Sequence, residues 1–198
     1  MIQVILKPGK EVPVLRFHPW IFSGAINHLE GNPVDGDVVQ VTDRKGNLLG
    51  VGHFHHGSIA VRLLSFGPAD LEHELFWTEK INNALQTRSL LFDPFANGST
   101  YRLVHGEGDG LSGLIIDMYG TTAVVQCHSI GMYRQRELIG AALRNVFGKH
   151  LQAIYDKSSD ALPPKFSETQ SNGYLWMAEG FDAEAAHIVL EIGVKFRV

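Results

Sequence analysis

Asp37-Val38-Val39-Gln40-Val41-Thr42-Asp43 runs into Arg44-Lys45-Gly46-Asn47 and then into Leu48-Leu49-Gly50-Val51-Gly52-His53-Phe54. Apolar residues take alternate places in the first run, and β-branched valines dominate it. The four residues that follow are turn formers, so the stretch reads as strand, tight turn, strand. Outward from this hairpin, Ser58–Phe66 reads as a further strand and Met1–Leu6 alternates weakly. Gly31-Asn32-Pro33 and Asp35-Gly36 set the hairpin apart from Trp20–Leu29. Several short strands at close spacing predict a small β-barrel over the first third of the chain.

The pattern changes after Phe66. Residues 70–91 read as a helix, with Asp70 as its cap, Glu72 and Glu74 in the first turn, and Leu71, Leu75, Ile81 and Leu85 on one face. Asp93-Pro94 ends it. Strands are then predicted at Thr100–His105, Gly113–Tyr119 and Thr122–His128, and one main helix over Tyr133–Phe147 stopped by Gly148. Short strands at Leu151–Tyr155, Tyr174–Met177, His187–Glu191 and Val194–Val198 complete the set, with a polar loop from Pro163 to Gly173. The expected fold class is α+β, a barrel followed by a mixed domain with strands around one main helix. The expected division is 1–68 for the barrel, 69–96 for a linking helix and 97–198 for the mixed domain.

The chain has 198 residues, 44% hydrophobic and 19% charged, enough for one sizeable or two small globular domains. No apolar run approaches the ~18–20 residues that span a bilayer, and Met1-Ile2-Gln3-Val4 has no signal-peptide pattern. A single cysteine, Cys127, excludes an internal disulfide framework and a multi-cysteine zinc site, and a cytoplasmic location fits best. The net charge is −4, which on its own argues against a large nucleic-acid surface. Its distribution takes most of the force from that objection. Residues 1–66 hold six Lys and Arg against five Asp and Glu, plus five histidines, so the acidic excess lies in the second part. The alternating Val194–Val198 is an unusual way for a domain to end, and the expectation is a natural protein that continues past it.

Three clusters invite chemical readings and favour structural ones. His53, His55 and His56 lack a cysteine or carboxylate at ligand spacing. They read as a polar strand end with exposed imidazoles, His53 and His55 on one face and His56 on the other. Gly108-Asp109-Gly110-Leu111-Ser112-Gly113 is formally a dinucleotide fingerprint, but Leu114-Ile115-Ile116-Asp117 behind it is a strand pattern. A phosphate there would find no helix N-terminus and would meet Glu107 and Asp109. Cys127 beside His128 reads as a buried core residue, because neighbours in a strand face opposite ways. Lys7, Lys10, Arg16 and His18, set among turn formers and Trp20, fit two descriptions equally: an RNA-contacting surface, or a core tryptophan with ordinary surface cations.

Leu6-Lys7-Pro8-Gly9-Lys10 with His18-Pro19-Trp20-Ile21-Phe22-Ser23-Gly24-Ala25-Ile26 resembles the start of a PUA domain, an RNA-binding module. Gly36–Asp43 with Gly46–Gly52 resembles its central strands. Val104–Gly120 and Val124-Val125-Gln126 resemble the middle domain of one family, the class I S-adenosylmethionine-dependent methyltransferases that form 5-methylcytosine in large-subunit rRNA. The resemblance spans nearly the whole chain. It departs where Phe17 follows Arg16 in place of a further basic residue, and where Ile192 replaces Asn in Glu191-Ile192-Gly193.

The resemblance implies ribosomal RNA as partner and S-adenosylmethionine as cofactor of the full-length enzyme. In that enzyme a cysteine thiolate adds to C6 of cytosine so that C5 takes the methyl group. It implies no catalytic, cofactor or metal residue within residues 1–198, and Cys127 is not assigned the nucleophile's role. The RNA-facing set expected here is Lys7, Lys10, Arg16, His18, Arg44 and Lys45, with Ser23 beside them and close backbone approach at Gly9 and Gly24. Trp20 either stacks a base or holds the loop. The alternative is a stand-alone RNA-binding or adaptor protein without enzymatic activity. An exposed terminal strand is also able to pair with a neighbouring chain.

Overall fold

The computed structural model describes residues 2–185, 188–191 and 194–197. The first third forms β1 (Ile2–Leu6), the short helix α1 (Val12–Leu15), β2 (Trp20–Phe22), β3 (Ile26–Glu30), β4 (Val38–Thr42), β5 (Leu48–Phe54) and β6 (Ile59–Ser65). The hairpin anticipated from the alternation is present, β4 pairing antiparallel with β5. Asp43 builds its turn by accepting from the backbone amides of Lys45 and Asn47 and from the Asn47 side chain. Six strands join in the order β2-β6-β5-β4-β1-β3. The outermost strands, β2 and β3, are separated in the chain only by Ser23–Ala25, which reach at most about 10 Å. The sheet must therefore curl toward closure. Val4, Leu6, Ile21, Val39, Val41, Val61 and Leu63 fill its interior, with Val14 of α1 packed against them.

The second part contains α2 (Glu74–Ser89), β7 (Thr100–His105), β8 (Leu114–Tyr119), β9 (Thr122–Cys127), α3 (Ile130–Arg134), α4 (Arg136–Phe147), β10 (Ala153–Asp156), α5 (Pro164–Ser167) and β11 (Gly173–Met177). Its sheet runs β11-β10-β9-β8-β7, antiparallel except for β9 and β10. That parallel pair is joined through α3 and α4, as a parallel connection requires. β12 (Ile188–Glu191) and β13 (Val194–Arg197) form a separate hairpin. The expected strand positions at His187 and Val198, and Ile192 and Gly193 of the family-like segment, lie outside the described residues. No helix is long and apolar enough to cross a membrane among the described residues.

Several local expectations need correction. The cap of α2 is His73, whose ring accepts from the Leu75 amide, while Asp70 organises the turn before it. Leu75 is exposed, and the buried face is Trp77, Ile81, Ala84 and Leu85. These residues belong to the second core, together with Leu103, Leu143 and Phe147, so two main helices rather than one line that core. The helix expected over Tyr133–Phe147 begins earlier, where Ser129 caps α3, and breaks at Gln135.

The two parts dock tightly. Val51 and Leu64 leave the curled sheet to join the second core. Arg134 of α3 pairs with Asp37 at 2.8 Å. His53 is buried against Gly131, where an added Cβ would meet its ring at 2.2 Å. The histidine cluster is thus split: His53 is a core residue, while His55 and His56 both turn their Nδ1 atoms to Asp35, at 3.2 and 2.8 Å. Among the described residues no group of three His, Cys, Asp or Glu is placed to hold a metal.

Burial, helped by the charges of Arg134 and Arg62, pushes the His53 pKa down to about 4 from an ordinary 6.5. The ring is neutral in the fold and takes a proton only in the unfolded chain between those two values. Stability should therefore fall as pH drops from 6.5 to 4, by up to about 3 kcal/mol from this residue. Thermal unfolding followed across that window should show a steeper loss in the wild type than in His53→Leu.

Candidate nucleic-acid interface

β1 and β4 run parallel, so the loops that follow them leave the sheet at the same end. One carries Lys7, Gly9 and Lys10 and the other Arg44 and Lys45, all exposed. The first loop turns at Gly9, whose φ of +80° suits glycine. Lys7 ties it to the Ser23–Ala25 turn, its amide donating to the Ala25 carbonyl and its Nζ to the Gly24 carbonyl, both at 2.9 Å. An ammonium has three donors, so the remaining two face solvent.

α1 then positions Arg16, which is exposed at its end, and Phe17, held at a positive φ of 62°. A bulky residue rarely adopts that conformation. Backbone bonds from Phe17 and His18 to Val14 and Pro13 hold it, and its ring lies edge-on to Phe66 at 5.3 Å. His18 Nδ1 lies 3.2 Å from both the amide nitrogen and the carbonyl oxygen of Trp20, which fixes the ring beside the tryptophan whichever of the two it bonds.

Lys10, Val14, His18, Trp20, Phe22 and Gly24 surround a pocket of about 480 Å³. Lys10, His18, Trp20 and Gly24 of the expected set therefore share one pocket, and Lys7 joins it through Gly24. Ser23 is exposed beside it, its amide bonded to the Ser58 carbonyl. Arg16 does not line the pocket. The reading of residue types missed Phe22, which lines the pocket and is half exposed at 49%. It also missed Arg62. The available signals were aromatic residues interleaved with the cations, and one cation within the apolar run of β6.

Trp20 is neither a plain core residue nor a free stacking face. Its Nε1 donates across to the β7–β8 connection, to Glu107 Oε1 at 2.9 Å and Ser112 Oγ at 3.2 Å. Ser112 donates to the same Glu107 oxygen at 2.7 Å. Burial pushes the Glu107 carboxyl up, but the bonds from Ser112 and Trp20 and the charge of Arg62 outweigh it and hold it below its ordinary value. Trp20→Phe keeps the ring and loses both bonds. Its expected cost is about 1–3 kcal/mol, because a partly buried carboxylate loses a donor, and urea unfolding measures it.

The glycine-rich connection does not form a nucleotide loop. Gly106–Asp109 make a single 3-10 turn and the chain enters β8 directly. Asp109 is committed to an ion pair with Arg88 and accepts from the His105 amide. Cys127 is fully buried, and burial pushes its thiol up to about 12. It does not supply a thiolate at neutral pH.

Residues 4–66 match the family described as a PUA-like domain. Ribosomal RNA large subunit methyltransferase I of Escherichia coli (strain SMS-3-5) is 35% identical over 165 residues, 83% of this chain and 41% of the relative. The protein of the same name from Shigella flexneri is 33% identical over 175 residues, 88% of this chain and 43% of the relative. The chain thus spans about two fifths of the length of the curated relatives it matches. Among solved structures, a provisionally assigned S-adenosylmethionine-dependent methyltransferase of Streptococcus mutans covers the whole chain with a TM-score of 0.75 at 20% identity, matching 48% of its own length. Another provisionally assigned methyltransferase, solved with S-adenosylhomocysteine, gives 0.76 at 20% identity over 47% of its length. These two share the fold. Residues 4–66 are a PUA-like domain, and the chain is homologous over four fifths of its length to ribosomal RNA large subunit methyltransferase I.

Proposed function

We propose that these residues are the RNA-positioning part of an S-adenosylmethionine-dependent methyltransferase acting on large-subunit rRNA. The product is 5-methylcytosine and the setting is cytoplasmic. The observation that carries the reading is the gathering of Lys7, Lys10, Arg44 and Lys45 at one end of a PUA-like sheet, beside a pocket walled by Trp20, His18 and Phe22. Cations there supply a sequence-independent attraction to phosphate, and the aromatic walls take bases. The homology to an rRNA methyltransferase supports large-subunit rRNA as the substrate of that surface.

The residues present do not fit the cofactor. The one glycine-rich run opens into β8 and its acidic side chains are engaged within the fold. Cofactor binding and the nucleophilic cysteine are accordingly assigned to the portion of such an enzyme that these residues do not contain. Within the proposed division, 1–68 grips RNA, 69–96 connects, and 97–198 forms the second wall of the surface. Two measurements test the reading. Large-subunit rRNA from cells lacking the gene should lose one 5-methylcytosine, restored by the intact gene. In calorimetry the 198-residue chain should show no S-adenosylmethionine binding. An unchanged 5-methylcytosine content would reject the assigned reaction.

A further inference from the structure

A second cavity lies where the two parts meet. It measures about 330 Å³ and its walls include Trp20, Ile59, Arg62, Glu107, Ile115 and His128. Arg62 is its unusual member. It sits in the middle of β6 among Ile59, Ala60, Val61, Leu63 and Leu64, opposite Trp20 in β2 and His53 in β5. Its guanidinium is half-buried, and burial disfavours its charged form. A purely structural arginine in such a place has a bonded carboxylate or carbonyl partner. Among the described residues the Arg62 side chain has neither a hydrogen bond nor an ion pair, and Glu107 acts on it only through space. Glu107 Oε1 is instead held by Trp20 and Ser112.

An unpaired, partly desolvated guanidinium at a cleft is a receptor for an oxyanion, with donors arranged to grip phosphate. The other walls suit the rest of a nucleotide. Trp20 offers an indole whose orientation is fixed by its Nε1 bonds, and Ile59 and Ile115 offer apolar surface. His128 is kept neutral by burial and the charge of Arg102, so at pH 7 its ring both donates and accepts. The volume is at the low end of ligand pockets, roughly 300–1,000 Å³, room for one nucleotide and not for a duplex. The cleft also adjoins the pocket already described, because Trp20 lines both. A strand resting on Lys10 and His18 needs to pass one side chain to enter it.

We infer that the cleft between the two parts is a nucleotide subsite. It takes one residue of a single-stranded RNA, with the phosphate on Arg62 and the base and sugar against Trp20, Ile59 and Ile115. The inference rests on the RNA reading above and extends the contact surface from the PUA-like sheet onto the second part. Arg62 and His128 become binding residues, and Glu107 orders the wall by fixing Trp20.

The test uses the 198-residue chain and a fluorescent single-stranded oligoribonucleotide of about ten nucleotides with scattered 4-thiouridines. Arg62→Met keeps the length of the side chain and should bind about tenfold more weakly, the effect of losing a charge-assisted contact. Irradiation of the wild-type complex should place adducts on peptides containing Trp20 or His128. Should Arg62→Met fail to fold, the wild-type adduct map decides alone. Wild-type affinity in a folded Arg62→Met, with adducts confined to the Lys7–Lys10 and Arg44–Lys45 peptides, overturns the subsite. In that case a weakened Lys7→Glu, Arg16→Glu variant leaves the RNA reading standing. No binding by the wild type overturns both.

Discussion

The double variant Lys7→Glu, Arg16→Glu should bind a large-subunit rRNA fragment at least about tenfold more weakly than the wild type at low salt, because each reversal replaces an attraction to phosphate with a repulsion. The slope of log affinity against log salt should flatten by about 1.4, two contacts at roughly 0.7 each for a single strand. Both residues are exposed, so the fold should survive. The structural loss is the bond from Lys7 Nζ to the Gly24 carbonyl, worth about 1 kcal/mol. Fluorescence anisotropy over a salt series, with circular dichroism as the control for folding, measures this. Equal affinity and equal slope would remove Lys7 and Arg16 from the RNA surface.

The largest expected effect on stability lies elsewhere. Trp77 is fully buried on α2, edge-on to Phe76 at 5.2 Å, and its Nε1 donates to the Leu71 carbonyl at 2.9 Å. That bond holds the segment before α2 onto the helix. Trp77→Ala leaves a large cavity in the core that also holds Ile81, Leu85 and Leu103, and it frees the buried Leu71 carbonyl. The expected loss is about 3–5 kcal/mol, a large part of the ~5–15 kcal/mol that holds a typical domain. Urea unfolding should shift to a much lower midpoint, and a loss below about 1 kcal/mol would show that α2 is not integral to the second core.

Apolar residues in the α2 segment lie on more than one face, and Leu71, Leu75, Ile81 and Leu85 make a plausible stripe without Trp77. Leu75 instead faces solvent because Trp77, Ile81, Ala84 and Leu85 recur at helical spacing on the buried face, and Leu75, two residues before Trp77, falls on the opposite side of the helix. The strands were more legible. From Asp37 to Asp43 the alternation is regular, and it carries the burial of Val39 and Val41 directly.

His53 shows the limit of that rule. Alternation gives a face but not what covers it, and the cover is Gly131, brought up by α3 from far along the sequence. The break at Gln135 has the same origin. Nothing local stops a helix there, but Arg134 is held by Asp37 and Tyr133 by Gln170.

The candidate surface divided in the same way. Its cations and glycines were visible as residue types, and Lys10, His18, Trp20 and Gly24 meet at one pocket. The role of Trp20 as a tie between the two parts depends on Glu107 and Ser112, far away in the chain, and no spacing rule reaches them. Arg62 was hidden by its strand and becomes notable only once its lack of a bonded partner is seen.

The central claim is that the exposed end of the PUA-like sheet holds RNA through its cations. The most direct measurement is the affinity of the wild-type 198-residue chain for a large-subunit rRNA fragment across a salt series. Engagement of Lys7, Lys10, Arg16, Arg44 and Lys45 with single-stranded phosphates predicts a linear plot of log affinity against log salt with a slope of about −3.5. Absence of binding at low salt, or an affinity that does not change with salt, would contradict it.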